Sequence, residues 1–157
     1  MKQTLFILIT FMSVTAYSQT IPDTEFKISE INTYIEDINE NEQFEVENIN
    51  GTLKKNNKDI DYSISYFAFD ATQLFSVIYQ EYDEISTNKI FYYKKNKVVA
   101  AIVEIINNKD NKDRLEEQAI YFYDVDTLLN TAEINEKYPH DSLLNEGKNR
   151  LKEFLAH

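Results

Sequence analysis

The side chains in this sequence that are able to do chemistry do not gather into a motif. Its two histidines are His140, beside Pro139, and His157 at the terminus. Neither sits in a local pattern that suggests a Ser-His-Asp or Cys-His triad, and the two lack the helical spacing of a zinc-binding pair. The acids around Asp110 and Asp113 lack the glycine and the ligand order of an EF-hand, and Asp124-Val125-Asp126 is too short to specify a cation. No glycine-rich phosphate loop or nucleophile elbow occurs. These residues therefore assign no catalytic position, no metal and no cofactor. With 27 Asp and Glu in 157 residues, folding alone can bring two carboxylates together as in a glycosidase, which keeps a small hydrolase as an alternative reading.

A stronger pattern is aromatic. The stretch IFYYKKNKVVAAI (90–102) reads as a strand, a lysine-rich turn and a strand, and IYFYDVDTLLNTA (120–132) repeats it. Tyr93 aligns with Tyr123, and Val98-Val99 with Leu128-Leu129. YFAFDATQLFSVI (66–78) gives a third copy, with Phe69 at the Tyr93 position and Leu74-Phe75 at the valine position. Successive hairpins of one sheet share a pattern because they share an environment, and duplication is the alternative origin. In a meander the three turns fall on one rim: Asp70, then Lys94, Lys95 and Lys97, then Asp124 and Asp126. Neighbouring tips of opposite charge are expected to neutralise one another, at about 0–1 kcal/mol per exposed pair, rather than to hold a phosphate.

Alternation divides these strands into two rows. Ile60, Tyr62, Ile64, Tyr66 and Ala68 form an apolar row. The alignment extends it through Ile90, Tyr92, Ile120 and Phe122, and this row is expected to be the helix-covered core. The opposite row carries Phe67, Phe69, Phe91, Tyr93, Tyr121 and Tyr123. If the helices cover only the first row, these six rings form an exposed patch suited to an unknown protein or a small amphipathic ligand. The competing expectation is that sheet curl or a terminal segment buries them.

The elements that must position these residues follow from periodicity. Residues 1–18, MKQTLFILITFMSVTAYS, combine a lysine, an apolar run from Leu5 to Met12 and small residues at Ala16 and Ser18. This is the pattern of a secretory signal peptide cleaved before Gln19, and the run is shorter than the about 20 apolar residues of a membrane span. Residues 19–157 are then expected to form one domain. Ile28, Ile31, Ile35 and Ile38 predict an amphipathic helix capped by Asp23 or Thr24, with a stripe narrow enough to lie on a sheet. After Glu42 the period becomes two, with strands expected near 43–53, 59–69, 74–84, 89–94, 98–106, 117–124 and 128–133. Asn56-Asn57, Asp70 to Gln73 and Lys95-Asn96 read as turns, and Asn107 to Arg114 as the longest loop. Such short links leave no room for crossover helices, which predicts an antiparallel meander. With only two glycines, the turns must rely on Asn and Asp, and a bulge is expected at Asn50-Gly51. Beyond Pro139, Leu143, Leu144, Gly147, Leu151, Phe154 and Leu155 mark a second helix capped by Asp141 or Ser142, with Gly147 at a close approach to the sheet. The expected fold is α+β: an N-terminal helix, an antiparallel six- to seven-stranded meander sheet and a C-terminal helix.

Composition bounds the functions that remain. The absence of cysteine excludes disulfides, thiolate metal sites and cysteine lipidation. A secreted domain of this size without disulfides points to a bacterial periplasm or the cell exterior. The formal net charge of −11 disfavours nucleic acid and anionic lipid as partners. Taken together, the leader, the YY-K/N-x-N-K-V-V hairpin, the second YFY hairpin and the closing helix resemble small exported proteins of Bacteroidota whose function is uncharacterised. That resemblance implies an exported α+β domain and no activity. The expected function is a small periplasmic or secreted, non-catalytic binding module with no membrane span after cleavage. Besides the hydrolase, the other alternative is a structural subunit that associates through its sheet edges.

Overall fold

The computed structural model describes residues 21–40, 43–109, 114–131 and 136–156. The expected leader at 1–18, the middle of the 107–114 loop and His157 lie outside the described residues. Helix α1 (Ile21–Asn39) is followed by strands β1 (Glu45–Lys55), β2 (Lys58–Asp70), β3 (Gln73–Tyr82), β4 (Ile85–Lys94), β5 (Lys97–Asn107), β6 (Arg114–Asp124) and β7 (Thr127–Thr131), and then by helix α2 (His140–Leu155). The strands form one sheet in sequence order, with every neighbouring pair antiparallel. The α+β meander is thus as the periodicity required. No helix among the described residues is long and apolar enough to cross a membrane.

Local chemistry accounts for the turns. Asn56-Asn57, Lys95-Asn96 and Val125-Asp126 all have positive φ, at 53° and 61°, 53° and 56°, and 45° and 69°. This left-handed geometry matches the strand twist in two-residue hairpins. Asn and Asp tolerate it; Val125, a β-branched residue, is there against its preference. In α1, Asp23 lies within the first turn rather than at the cap, where it faces the positive end of the helix dipole and pairs with Lys27 at 3.4 Å. In α2 the cap is Pro139 with no side-chain hydrogen bond, in place of the expected Asp141 or Ser142. The bulge expected at Asn50-Gly51 is absent, since β1 pairs with β2 in unbroken register. Gly51 instead leaves room for a cross-strand ring: a β-carbon there would lie 2.6 Å from the Tyr62 hydroxyl oxygen.

The helices lie on opposite faces of the sheet, which corrects the expectation of one covered face. The register runs from Tyr66 to Val77, from Val77 to Phe91, from Phe91 to Ala101 and from Ala101 to Tyr121. Tyr66 therefore shares its face with Phe91 and Tyr121, not with Tyr92 and Phe122. The parity error has one cause. Phe75, Val99 and Leu129 are each skipped in the pairing, so all three hairpins carry the same bulge. Of these three hairpins only β2–β3 has a further unpaired residue, Phe69. Ala68, opposite Leu74, therefore takes the place that Tyr93 opposite Val98 and Tyr123 opposite Leu128 hold in the other copies. A one-residue shift moves a whole strand's side chains to the other face. On one face α2 packs Leu143 and Leu144 against Tyr66, Phe91, Tyr93, Tyr121 and Tyr123; on the other, α1 packs Ile31 against Tyr92 and Ala100 with Ile90 and Phe122 alongside.

Candidate functional site

Four of the six expected contact rings belong to the seat of α2. Phe91 and Tyr93 are 0% exposed, and Tyr121 and Tyr123 1%. Their hydroxyls hold the backbone that covers them. Tyr121 donates to the Tyr138 carbonyl at 3.0 Å, Tyr123 to that of His140 at 2.9 Å and Tyr93 to that of Gly147 at 2.9 Å. Burial pushes the Tyr93 and Tyr123 phenols upward. Gly147 allows the close approach expected of it: a β-carbon there would stand 3.0 Å from both Phe91 Cδ1 and Val98 Cγ2. The exposed patch read from the alternation is therefore corrected for Phe91, Tyr93, Tyr121 and Tyr123, because a helix covers the face they occupy.

Phe67 and Phe69 are not under α2. They cluster with Phe44 and Phe75, with the Phe69 and Phe75 ring centroids 4.1 Å apart and Phe44 within 6.4 Å of Phe67. Phe69, the unpaired residue, is 44% exposed. Phe44 could not be assigned to this group from sequence, because only the β1–β2 register brings the start of β1 beside the end of β2.

The charged rim also has other partners than expected. Asp124 binds Lys27 of α1 at 2.8 Å, and Asp126 binds Lys148 of α2 at 2.8 Å, so the two helices clasp the β6–β7 turn from either face. Lys94 stands over the Tyr34 ring, 5.1 Å from its centroid. Asp70 accepts from the Thr72 hydroxyl and amide at 2.6 and 2.7 Å, bonds that hold its carboxyl below the ordinary range. The lysines of the β4–β5 turn are thus not neutralised by the neighbouring aspartates, because the helices supply nearer cations.

Among the described residues no carboxyl is displaced upward, toward the protonated form a general acid needs. The carboxyls displaced from their usual range, Asp70 and Asp83, are both displaced downward, Asp83 chiefly through its hydrogen bond with Lys58, and so carry charge rather than a proton. Among the described residues no cluster of His, Asp and Glu is arranged to hold a metal. His140 faces Asp141, at 3.3 Å, while its carbonyl receives Tyr123.

Among the described residues the edge strand β1 is left exposed, whereas the inward row of β2, Ile60, Ile64, Tyr66 and Ala68, is buried. No residue of β1 is fully buried. A groove of about 460 Å³ runs between the start of β1, the end of β2 and the last turn of α2, with Glu45, Glu47, Tyr66, Asp70, Ala71 and Phe154 among its walls. At its base the half-buried Phe154 stacks on Tyr66, which is only 3% exposed, at 6.0 Å and inclined by 21°. Tyr66 donates to Glu153 at 3.2 Å, and Glu153 accepts from Arg150 at 3.0 Å. The wall carboxylates Glu45, Glu47 and Asp70 have no lysine or arginine beside them in the lining. Sequence reasoning placed Tyr66 in the core row and Phe154 on the α2 stripe, and nothing local to either residue announces a groove. Compared with protein-family models, with curated proteins and with solved structures, the chain matches none.

Proposed function

We propose that the protein is a small exported, non-catalytic interaction module that takes its ligand in the groove between the edge strand β1, the end of β2 and the last turn of α2. The groove of Glu45, Glu47, Tyr66, Asp70 and Phe154 carries this reading. Uncompensated carboxylates beside a stacked aromatic pair favour a cation borne on an apolar body, such as a basic amphipathic peptide. The overall charge of −11 acts in the same direction by drawing cationic ligands in at long range. Export is supported by the leader pattern of residues 1–18 and by the resemblance to exported proteins of Bacteroidota, and the absence of cysteine in an exported domain favours a bacterial periplasm or the cell exterior.

The test is a titration of the mature chain with a Lys- and Leu-rich amphipathic peptide, beside the Glu45→Lys/Ala71→Lys variant. Both substituted positions are exposed, so melting should not change. Binding that weakens at least about tenfold in the variant, and that weakens with salt, supports the groove; equal binding by both proteins, or none by either, removes it. Intact mass of the protein recovered from the native organism bears on export. A chain beginning at Gln19 supports it, and one retaining Met1 sinks it.

A further inference from the structure

β1 is an unusual edge. It runs for eleven residues, Glu45–Lys55, without proline or bulge, whereas β7, the opposite edge, has five. Long flat edges of this kind invite pairing unless charge, bulge or proline blocks them. Among the described residues no backbone hydrogen bond reaches the outer side of β1.

The direction of its free backbone groups follows from the turn. Lys55 and Lys58 flank the two-residue turn at Asn56-Asn57 and face each other in register. The pair closing such a hairpin exchanges hydrogen bonds. The odd-numbered residues of β1 therefore bond to β2, and Val46, Asn48, Asn50, Thr52 and Lys54 direct their N–H and C=O groups outward. An antiparallel second strand must match even residues with even.

Under that constraint the strand is self-complementary about Gly51. Its odd row reads Glu47, Ile49, Gly51, Leu53, Lys55, with Ile49 and Leu53 half-buried against the core beneath α2. We infer that β1 pairs with β1 of a second copy across a two-fold axis at Gly51. Glu47 then lies opposite Lys55 of the second copy, and Ile49 opposite Leu53. Centring on Ile49 or Leu53 loses the charge match, and centring on Asn50 sets Glu47 against an aliphatic side chain. At the axis the two glycines approach to about 4.5 Å, as a pair without mutual hydrogen bonds. Each is covered from its own chain by Tyr62, so the axis is flanked by two rings. Lys55 already holds Glu81 at 2.8 Å with its side chain 46% exposed, and its ammonium has donors left for a second carboxylate. The pairing would join two sheets edge to edge; it engages Glu47 and leaves Glu45 and Asp70 as the free carboxylates of the groove.

Sedimentation of the mature chain over a range of concentrations should show a monomer converting to a species of doubled mass. Thr52→Pro removes an outward N–H without touching a backbone bond to β2, and should abolish the dimer with circular dichroism unchanged. It also loses the exposed bond from the Thr52 hydroxyl to Asp61 at 3.0 Å, which Thr52→Val removes alone as the control. A cysteine pair carries the same test without proline. The chain has no cysteine of its own, and Asn48 lies opposite Lys54 of the second copy at a separation a disulfide spans. An equimolar mixture of Asn48→Cys and Lys54→Cys should cross-link under mild oxidant, and neither variant alone should. A chain that stays monomeric throughout, a Thr52→Pro variant that folds and still dimerises, or cross-linking of Asn48→Cys with itself overturns the inference.

Discussion

The tyrosine hydroxyls Tyr93, Tyr121 and Tyr123 do two jobs at once. Their rings fill the core, and their oxygens reach past it to backbone carbonyls of α2 and the segment before it. A buried phenol without a partner is costly, so each bond fixes the helix in translation as well as in distance. Tyr93→Phe and Tyr123→Phe should each lower the free energy of unfolding by about 1 kcal/mol, read from urea titration, and should leave ligand binding in the groove unchanged. No loss of stability in either variant would mean that ring packing alone seats α2. The same residues show how a functional patch can be misread: alternation rightly grouped Phe91, Tyr93, Tyr121 and Tyr123, but it wrongly added Phe67 and Phe69 to their row and did not reveal that a helix covers it.

The two helices contribute unequally. Beneath α2 lie Phe91, Tyr93, Tyr121 and Tyr123, all at most 1% exposed, whereas α1 covers a smaller cluster of Ile31, Tyr92 and Ala100 with partly buried neighbours. Each large ring buried contributes roughly 1.5–3 kcal/mol, so losing the cover of four rings exceeds the whole stability of a typical domain, about 5–15 kcal/mol, at its lower end. A chain ending at Tyr138 should therefore lose cooperative melting and bind a hydrophobic dye. A truncated chain that melts cooperatively near the parent temperature would show that the sheet stands without α2. The hairpins were legible beforehand because β-branched residues, Asn and Asp mark strands and left-handed turns locally. The extra residue Phe69 was not, since a bulge is defined by the partner strand.

For the molecule as a whole, the buried phenols set an alkaline limit. Burial raises Tyr34 from 10.0 to about 12 and moves Tyr79, Tyr93 and Tyr123 in the same direction. A group whose folded pKa is raised lends stability that is complete below its unfolded value and is lost as pH climbs toward the folded one. Melting temperature should accordingly fall as pH rises from 10.0 toward about 12, with the last part of the phenolate absorbance of the eleven tyrosines appearing together with unfolding; complete phenolate formation in a chain that stays folded would contradict the burial of these hydroxyls. The sequence by itself determined the order of the elements, the antiparallel meander and the tight turns at Asn56-Asn57, Lys95-Asn96 and between Asp70 and Gln73, because each depends on neighbours within a few residues, whereas the β3–β4 turn at Asp83-Glu84 fell inside the strand expected at 74–84. Only the tertiary structure decided that α1 and α2 take opposite faces, that Lys27 and Lys148 answer Asp124 and Asp126, and that Glu45, Glu47, Tyr66, Asp70 and Phe154 share a groove. Those outcomes rest on register parity and on contacts between distant segments, and a single unpaired residue, Phe69, is enough to invert the parity.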